Sequence, residues 1–553
     1  MTINKRLKEI TKHLFGKNID AAVGQRINEY VEKKWFCPAT PILHNSGTPH
    51  GLPISCFVNH VGDTMDSIQN TYNEVFCYAK DGGGVGTYWG DVRHTGAVIR
   101  EKFKHSGVIP FMKVQDSMAL AVNQSGIRNG STAVYLNVWH PDIEVFLEMR
   151  RVTGGDYNRR CLNLHHGVII DDAFMHAVEK GESYSLRDKK GDCVRAVNAR
   201  ELWQKILVTR IETGEPFIVF IDTVNKALPV INERWESKVY TSNLCSEILQ
   251  PTSPTMPAVC CLGSLNLEKW HEYEQQIEQV VMDCLEFLDK VLIEFWDKVE
   301  DNKDYENTLM ASMAYRNVGL GVMGFHAFLQ NQGLPFACVM SKVWNKRIFE
   351  TIRGAVEQAN TKLGYLYGYA PATINTVNER RFTFAQAIAP TATISLHMDT
   401  TPSIDPVLSN VFIHKTQKGN VTKRNKNLEH LLQQKLNGDV QDIEKVWDNI
   451  QANGGSVYDV TCLSDDEKAV YKTAFEIDQR WIIDLASDRA PFIDQGQSVN
   501  LFFASDVDKK YLLECHMNAW RGGVKSLYYC RSSAMKRAQV VGQETYKECL
   551  ACQ

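Results

Sequence analysis

The sequence has no excess of positive charge: 61 Lys and Arg stand against 65 Asp and Glu, a net charge of −4. The basic footprint of a nucleic-acid-binding protein is therefore missing. No apolar run approaches the ~18–20 residues that cross a bilayer. The first residues, MTINKRLKEITKHLFG, lack the apolar stretch and small-residue cleavage site of a secretory signal. Together these absences predict a cytoplasmic chain without membrane or nucleic-acid partners. Low-complexity tracts and internal repeats are also lacking. With 44% hydrophobic and 10% aromatic residues, the chain has ample material for a buried core.

Several common site signatures are absent too. The glycine run Asp81-Gly-Gly-Gly-Val-Gly86 lacks the Gly-Lys-Ser/Thr of a P-loop and the spacing of a dinucleotide fingerprint. His271-Glu272 is not followed by the second histidine of a zinc helix, and no Gly-x-Ser-x-Gly elbow occurs. Cys549-Leu-Ala-Cys552 has no second Cys-x-x-Cys to complete a structural zinc site. The expectation is that this chain holds no metal. Its 15 cysteines are scattered, as in a reducing compartment, where most thiols are buried small hydrophobes and a few do chemistry.

What is present reads as α/β. Residues 1–36 have the pattern of two short amphipathic helices, with Leu7, Ile10 and Leu14 on one face and Asp20 as an N-cap between them. Residues 37–63 read as loops and short strands, and 66–80 as a helix. Short β-like runs at 133–136, 167–170, 217–221 and 259–262 then alternate with longer helical patterns such as 275–297. That alternation predicts parallel strands in a closed or doubly wound sheet. Residues 425–451 are polar and helical and belong on the outside. The division expected is an N-terminal helical segment at 1–36, one catalytic domain at 37–531, and a tail at 532–553 with no firm period.

Five groups of residues carry chemistry. In Asn243-Leu-Cys245-Ser-Glu247, alternation in an extended segment would put amide, thiol and carboxylate on one side. Cys56 and Cys260 each border a short apolar run, which fits neighbouring strands; Cys261 then points away as a structural thiol. The Cys549/Cys552 pair, on a tail, fits a dithiol that exchanges with a disulfide elsewhere. Tyr528-Tyr529 alone reads as core packing. Pro390-Thr-Ala-Thr393 and the glycines at 82–86 are weak phosphate cradles.

In their order along the chain these residues resemble the large subunit of class I ribonucleotide reductases. The likeness runs from Cys37 onward through Ala39-Thr-Pro-Ile-Leu-His-Asn-Ser-Gly-Thr48, Ser55-Cys56-Phe57, Asn243-Leu-Cys-Ser-Glu247, Ala258-Val-Cys260, Pro390-Thr-Ala-Thr393, Arg489-Ala-Pro-Phe-Ile-Asp-Gln-Gly-Gln-Ser498 and Lys525-Ser-Leu-Tyr-Tyr529. The resemblance implies a ten-stranded α/β barrel of two five-stranded halves with a central finger loop. It implies reduction of ribonucleotides, as diphosphates, to deoxyribonucleotides by thiyl-radical chemistry. Cys245 would carry the radical, Glu247 would act as base, Asn243 would hold the ribose, and Cys56 and Cys260 would form the reducing pair. Tyr528 and Tyr529 would relay the radical from a partner small subunit that holds the metal-centred cofactor. Cys549 and Cys552 would be recharged by thioredoxin or glutaredoxin. Thr40, Ser55, Gly84, Thr391, Ala392 and Thr393 match substrate-binding positions. Asp63, Thr64, Arg93, Gln124 and Arg128 match an allosteric specificity site for a deoxynucleoside triphosphate or ATP, which in the family adjoins a homodimer interface.

Only about three dozen residues precede Ala39, so a compact form without the family's N-terminal ATP-cone is expected, and with it no dATP inhibition at that cone. Two other readings compete. One is a cobalamin-dependent class II reductase, which needs no tyrosine relay and would act without a partner. The other is a catalytically silent nucleotide-binding paralogue, which would need none of the five cysteines.

Overall fold

The computed structural model describes residues 3–16, 21–122, 131–151, 156–416 and 419–532. The first half of the barrel consists of β2 (Cys56–His60), β3 (Gly84–Tyr88), β4 (Ser131–Asn137), β5 (Leu164–Ile170) and β6 (Phe217–Phe220), following a short β1 (Phe36–Pro38). These five strands lie parallel in sequence order, β2-β3-β4-β5-β6. Their centres are almost wholly buried runs such as Ala-Val-Tyr-Leu and Phe-Ile-Val-Phe, as strands covered on both faces require.

The second half begins with β7 (Ala258–Asn266) and β8 (Val318–Met323), which pair in parallel. It continues through an extended segment around Gln386, bridged in parallel to Leu320, and another around Gln497, bridged in parallel to Ile388. The Gln497 segment runs on into β9 (Leu501–Phe503), and β10 (Ser526–Leu527) leads into β11 (Cys530–Ser532), which pairs in parallel with β9. Two antiparallel seams join the halves. β7 lies against β2, and β10 lies against β6. Counted around this circuit, each half contributes five strands and the ring is closed, which is the expected ten-stranded barrel. β1 extends the seam, antiparallel to the far end of β7.

Helices cover the outside. α1 (Ile3–Phe15) and α2 (Ala21–Glu32) pack on α5 (Ile277–Val299), and Arg26 and Tyr30 both bond Asp283 on that helix, at 2.6 and 2.8 Å. Between them in the chain come α3 (Thr40–Asn45) and α4 (Met65–Lys80). A helix at 40–45 corrects the reading of 37–63 as loops and strands. Pro41 sits in the helix's first turn, where its missing N–H costs nothing. α5 also carries Asp289, which binds Arg316 at 2.5 Å and Arg381 at 2.8 Å in a buried ionic triad. α6 (Val339–Tyr367) packs along α5, and α7 (Ala392–Met398) sits beside β1. Two further helices, Lys426–Lys435 and Val440–Ala452, form a small separate core around Leu432 and Trp447 on the outside, as their polar pattern indicated. None of the described helices is long and apolar enough to cross a membrane. Asp20 lies outside the described residues.

Candidate functional site

The antiparallel seam between β2 and β7 places Cys56 directly opposite Cys260. Directly opposed residues in such a pair have Cα atoms ~4.5–5.5 Å apart, inside the range a disulfide needs. Among the described cysteines no disulfide is formed. Strand alternation sends the next thiol, Cys261, the other way. It donates to the Leu288 carbonyl at 3.3 Å within the outer core, as expected for a structural cysteine.

Facing this seam is a loop, residues 241–250, every one of which is buried. Both halves of the barrel grip it. From the first half, Tyr135 on β4 donates its hydroxyl to the Asn243 carbonyl at 2.6 Å, and Gly86 on β3 lies so close that a Cβ there would meet the Ser242 oxygen at 1.9 Å. From the second half, Ser498 donates to the Cys245 carbonyl at 2.6 Å, Ser526 to the Ser246 carbonyl at 2.7 Å, and Gly496 N–H to the Glu247 carbonyl at 2.8 Å. A loop held by strands from opposite sides runs through the barrel's interior. The glycine run at 82–86 thus serves, through Gly86, the close approach of this loop.

The expected one-sided alternation of Asn243, Cys245 and Glu247 does not form. The chain turns through Leu244 and Cys245, and Ser246 takes a left-handed conformation with φ +67°. Cys245 therefore joins an apolar cluster with Tyr135, Phe217 and Tyr528. Glu247 faces the thiol seam instead, its Oε1 4.0 Å from Cys56 Sγ and its Oε2 accepting from Ser498 Oγ at 3.3 Å. Burial pushes the Glu247 carboxyl up to about 7, against the opposing pull of Asn243 and Ser498. Asn243 Oδ1 is taken by the Ile248 N–H at 3.1 Å, while its buried Nδ2 has no partner at hydrogen-bond geometry. That donor lies toward Glu247, where it and the carboxyl can share a hydroxyl-bearing ligand.

On the other side of Cys245 stand the tyrosines, in the turn between β10 and β11. Their ring centroids are 4.3 Å apart, and Phe217 touches both, at 4.7 and 5.0 Å. Tyr528 is buried, and Tyr529 is partly exposed with Arg531 over its ring at 5.2 Å.

A family model for the ribonucleotide reductase barrel domain matches residues 54–372 and 376–530. The chain belongs to that family. It is 39% identical to the putative ribonucleoside-diphosphate reductase large subunit of Frog virus 3 (isolate Goorha), over 96% of this chain and 92% of that protein. Identity is 35% with the large subunit from Invertebrate iridescent virus 3, over 93% of this chain and 88% of the relative. Among solved structures, the class Id ribonucleotide reductase alpha subunit of Actinobacillus ureae superposes with a TM-score of 0.82 at 29% identity. That match covers 99% of this chain and 95% of the other.

Ala39, Ala387 and Ala389 pack around Cys56 and Cys260, so the segments leading to Thr40 and to Thr391, Ala392 and Thr393 converge on the thiols. Thr40 begins α3, and its buried hydroxyl has no partner. Thr391 caps α7 with φ +54° and accepts the Ser403 N–H at 2.7 Å, leaving Ala392 and Thr393 in the helix's first turn. Ser55 lies next to Cys56, its Oγ 3.9 Å from the sulfur, and Gly84 sits beside Cys56 across β2 and β3.

The proposed effector residues fall at the opposite ends of the same strands. Asp63 follows β2 and Arg93 follows β3. The two form a close ion pair, with Arg93 Nη2 2.8 Å from Asp63 Oδ2, and Thr64 caps α4 by accepting the Ser67 N–H at 3.1 Å. Gln124, Arg128, Cys549 and Cys552 lie outside the described residues. Sequence reasoning missed Tyr135, Gln495 and Ser526 as contacts of the finger and the thiols. Gln495 and Ser526 lie inside segments that carried the family likeness, but nothing local marks a glutamine as a thiol's neighbour.

Proposed function

We propose that this chain reduces ribonucleoside diphosphates to 2′-deoxyribonucleotides as the catalytic subunit of a class I ribonucleotide reductase. The observation that carries the reading is the meeting of three groups inside one barrel: Cys56 opposite Cys260, the Glu247 carboxyl beside them, and Cys245 on the same loop.

The radical originates in a partner small subunit, whose cofactor supplies the oxidising equivalent. Tyr529 and Tyr528 carry the oxidation inward to Cys245. The Cys245 sulfur radical takes the hydrogen atom from the ribose 3′ carbon, breaking C–H and forming S–H. Glu247 takes the 3′-hydroxyl proton; a base with a value near 7 matches that task at neutral pH. Cys56 gives its proton to the departing 2′-hydroxyl, which leaves as water. Cys260 gives its hydrogen to the 2′ carbon and closes into a disulfide with Cys56. The two electrons these thiols release reduce the sugar, Glu247 returns its proton to the 3′ oxygen, and Cys245 returns its hydrogen to the 3′ carbon. Asn243 Nδ2 holds the ribose, and the N–H groups and hydroxyls at Thr391–Thr393 and Thr40 receive the phosphates. The enclosed interior keeps water from the radical.

Around this core, Cys549 and Cys552 re-reduce the disulfide and are served by thioredoxin or glutaredoxin in the cytoplasm. Asp63, Thr64, Arg93, Gln124 and Arg128 bind the effector nucleotide at a homodimer interface. To receive a triphosphate, Arg93 would exchange its bond to Asp63 for phosphate, for which its fork geometry is suited.

The test is formation of dCDP from CDP with effector and dithiol, with and without the small subunit. Product is expected only with it. Tyr529→Phe should abolish multiple turnover while the circular dichroism spectrum stays unchanged. Turnover without the partner, or with Phe at 529, rules out the class I reading.

A further inference from the structure

The two thiols of the reducing pair are not equivalent. Cys56 Sγ points its hydrogen at the Glu247 carboxylate 4.0 Å away, an acceptor that opposes negative charge on that sulfur, with the rotatable Ser55 hydroxyl at 3.9 Å beside it. Cys260 Sγ faces the neutral Cys261 carbonyl at 3.9 Å and receives a fixed amide donor, Gln495 Nε2, at 3.8 Å. The amide of Gln495 is fixed on every side. Its Nε2 also donates to the Val318 carbonyl at 3.1 Å, and its Oε1 accepts from Gln250 at 3.0 Å, which in turn accepts from Asn317 at 2.8 Å. Behind it, the buried Lys525 ammonium donates to the carbonyls of Ile493, Asp494 and Gln495 at 2.7, 2.9 and 2.9 Å, locking that stretch of backbone. A preorganised donor at one sulfur and a carboxylate at the other is a built-in polarity.

We propose that Gln495 is a further catalytic residue, stabilising Cys260 as the leaving thiolate when the Cys56–Cys260 disulfide is reduced, so that the incoming thiolate attacks Cys56. The inference rests on the assignment of these cysteines as the reducing pair. The step balances as follows. A thiolate of a dithiol reductant forms an S–S bond to Cys56 Sγ; the Cys56–Cys260 bond breaks, and its electron pair remains on Cys260, held by the Gln495 N–H. The reductant's second thiolate then attacks its own sulfur in the mixed disulfide and releases Cys56, which is reprotonated beside Glu247. The dithiol leaves oxidised, and the two protons its thiols gave up end on Cys56 and Cys260. Exchange is faster through the sulfur that better bears charge, because the leaving thiolate carries it. Burial drives the Cys260 thiol well above its usual value, with Cys261, Cys56 and Glu247 pushing the same way, and the Gln495 donor works against them.

The experiment uses the full chain with the Cys56–Cys260 disulfide installed by diamide and, separately, by turnover. It is treated with limiting glutathione, acid-quenched and alkylated, and the mixed disulfide is located by peptide mass spectrometry. The expected result is glutathione on Cys56 and alkyl on Cys260, in a ratio of about ten to one or more. Gln495→Leu should slow disulfide reduction by about tenfold, the weight of one hydrogen bond to a charged sulfur, and erase the preference. Gln495→Glu should slow it further. Nucleotide binding and circular dichroism report whether each variant is folded, and the wild-type partition needs no variant. Glutathione found on Cys260, or equally on both, overturns the proposal even where the disulfide forms. A pair that diamide oxidises but turnover does not would overturn the reducing-pair assignment itself.

Discussion

Glu247 shows how one residue's surroundings set its chemistry. A carboxyl this deeply buried, with its own backbone N–H, Asn243 and Ser498 too few to favour its charge, loses its proton near 7 rather than near 4.5. The base form therefore accumulates as pH rises, and turnover should climb through a step near pH 7. Glu247→Gln should lower the rate by about 10²–10⁴-fold, the usual weight of a positioned base, with nucleotide affinity retained. The same shift has a stability consequence. Since the folded value lies above the unfolded one, the unfolded chain ionises first, and stability falls between about 4.5 and 7. Glu247→Gln should thus raise Tm at pH 8 relative to wild type and leave this contribution unchanged at pH 4.5. A flat difference across that window would show that the carboxyl is solvated. The reactive residues were legible in the sequence only through the family's ordered motifs. No local pattern pairs Cys56 with Cys260, and the alternation that put Cys245 and Glu247 on one side failed because Ser246 turns the chain.

At the scale of elements, the finger loop depends on the absence of one methyl group. Gly86 has an ordinary strand conformation, so alanine is acceptable to its own backbone, but the new Cβ would enter the Ser242 carbonyl at 1.9 Å. Gly86→Ala should displace the finger, cost about 1–3 kcal/mol by overpacking, and abolish reduction, measured by denaturation and by the CDP assay. Asp289→Ala, which strands Arg316 and Arg381 without their shared counterion, should cost about 3–5 kcal/mol in urea denaturation. The elements themselves were partly readable. The long periodic helix expected at 275–297 forms at Ile277–Val299, and the apolar runs became β4 to β7. The segments at 386–388 and 497–498 were not readable as strands. They are short and carry glutamines, and each pairs through isolated bridges that only the closed ring supplies.

For the whole molecule, the barrel explains why distant motifs form one site. Two parallel five-stranded halves meeting at antiparallel seams bring residue 56 against residue 260, and residues 217–220 against 526–527. The thiols lie at one seam and the tyrosines at the other, with Cys245 on the finger between. Strand–helix alternation in the sequence indicated the class of fold, but closure is a property of all the strands together. The most direct test of this arrangement is a single turnover of the fully reduced chain, carrying Cys549→Ser and Cys552→Ser, with its small subunit, effector and CDP but no external reductant. The account predicts dCDP and a Cys56–Cys260 disulfide in equal amounts, and neither in a Cys245→Ser variant. Product without that disulfide, or product from the Cys245→Ser variant, would contradict it.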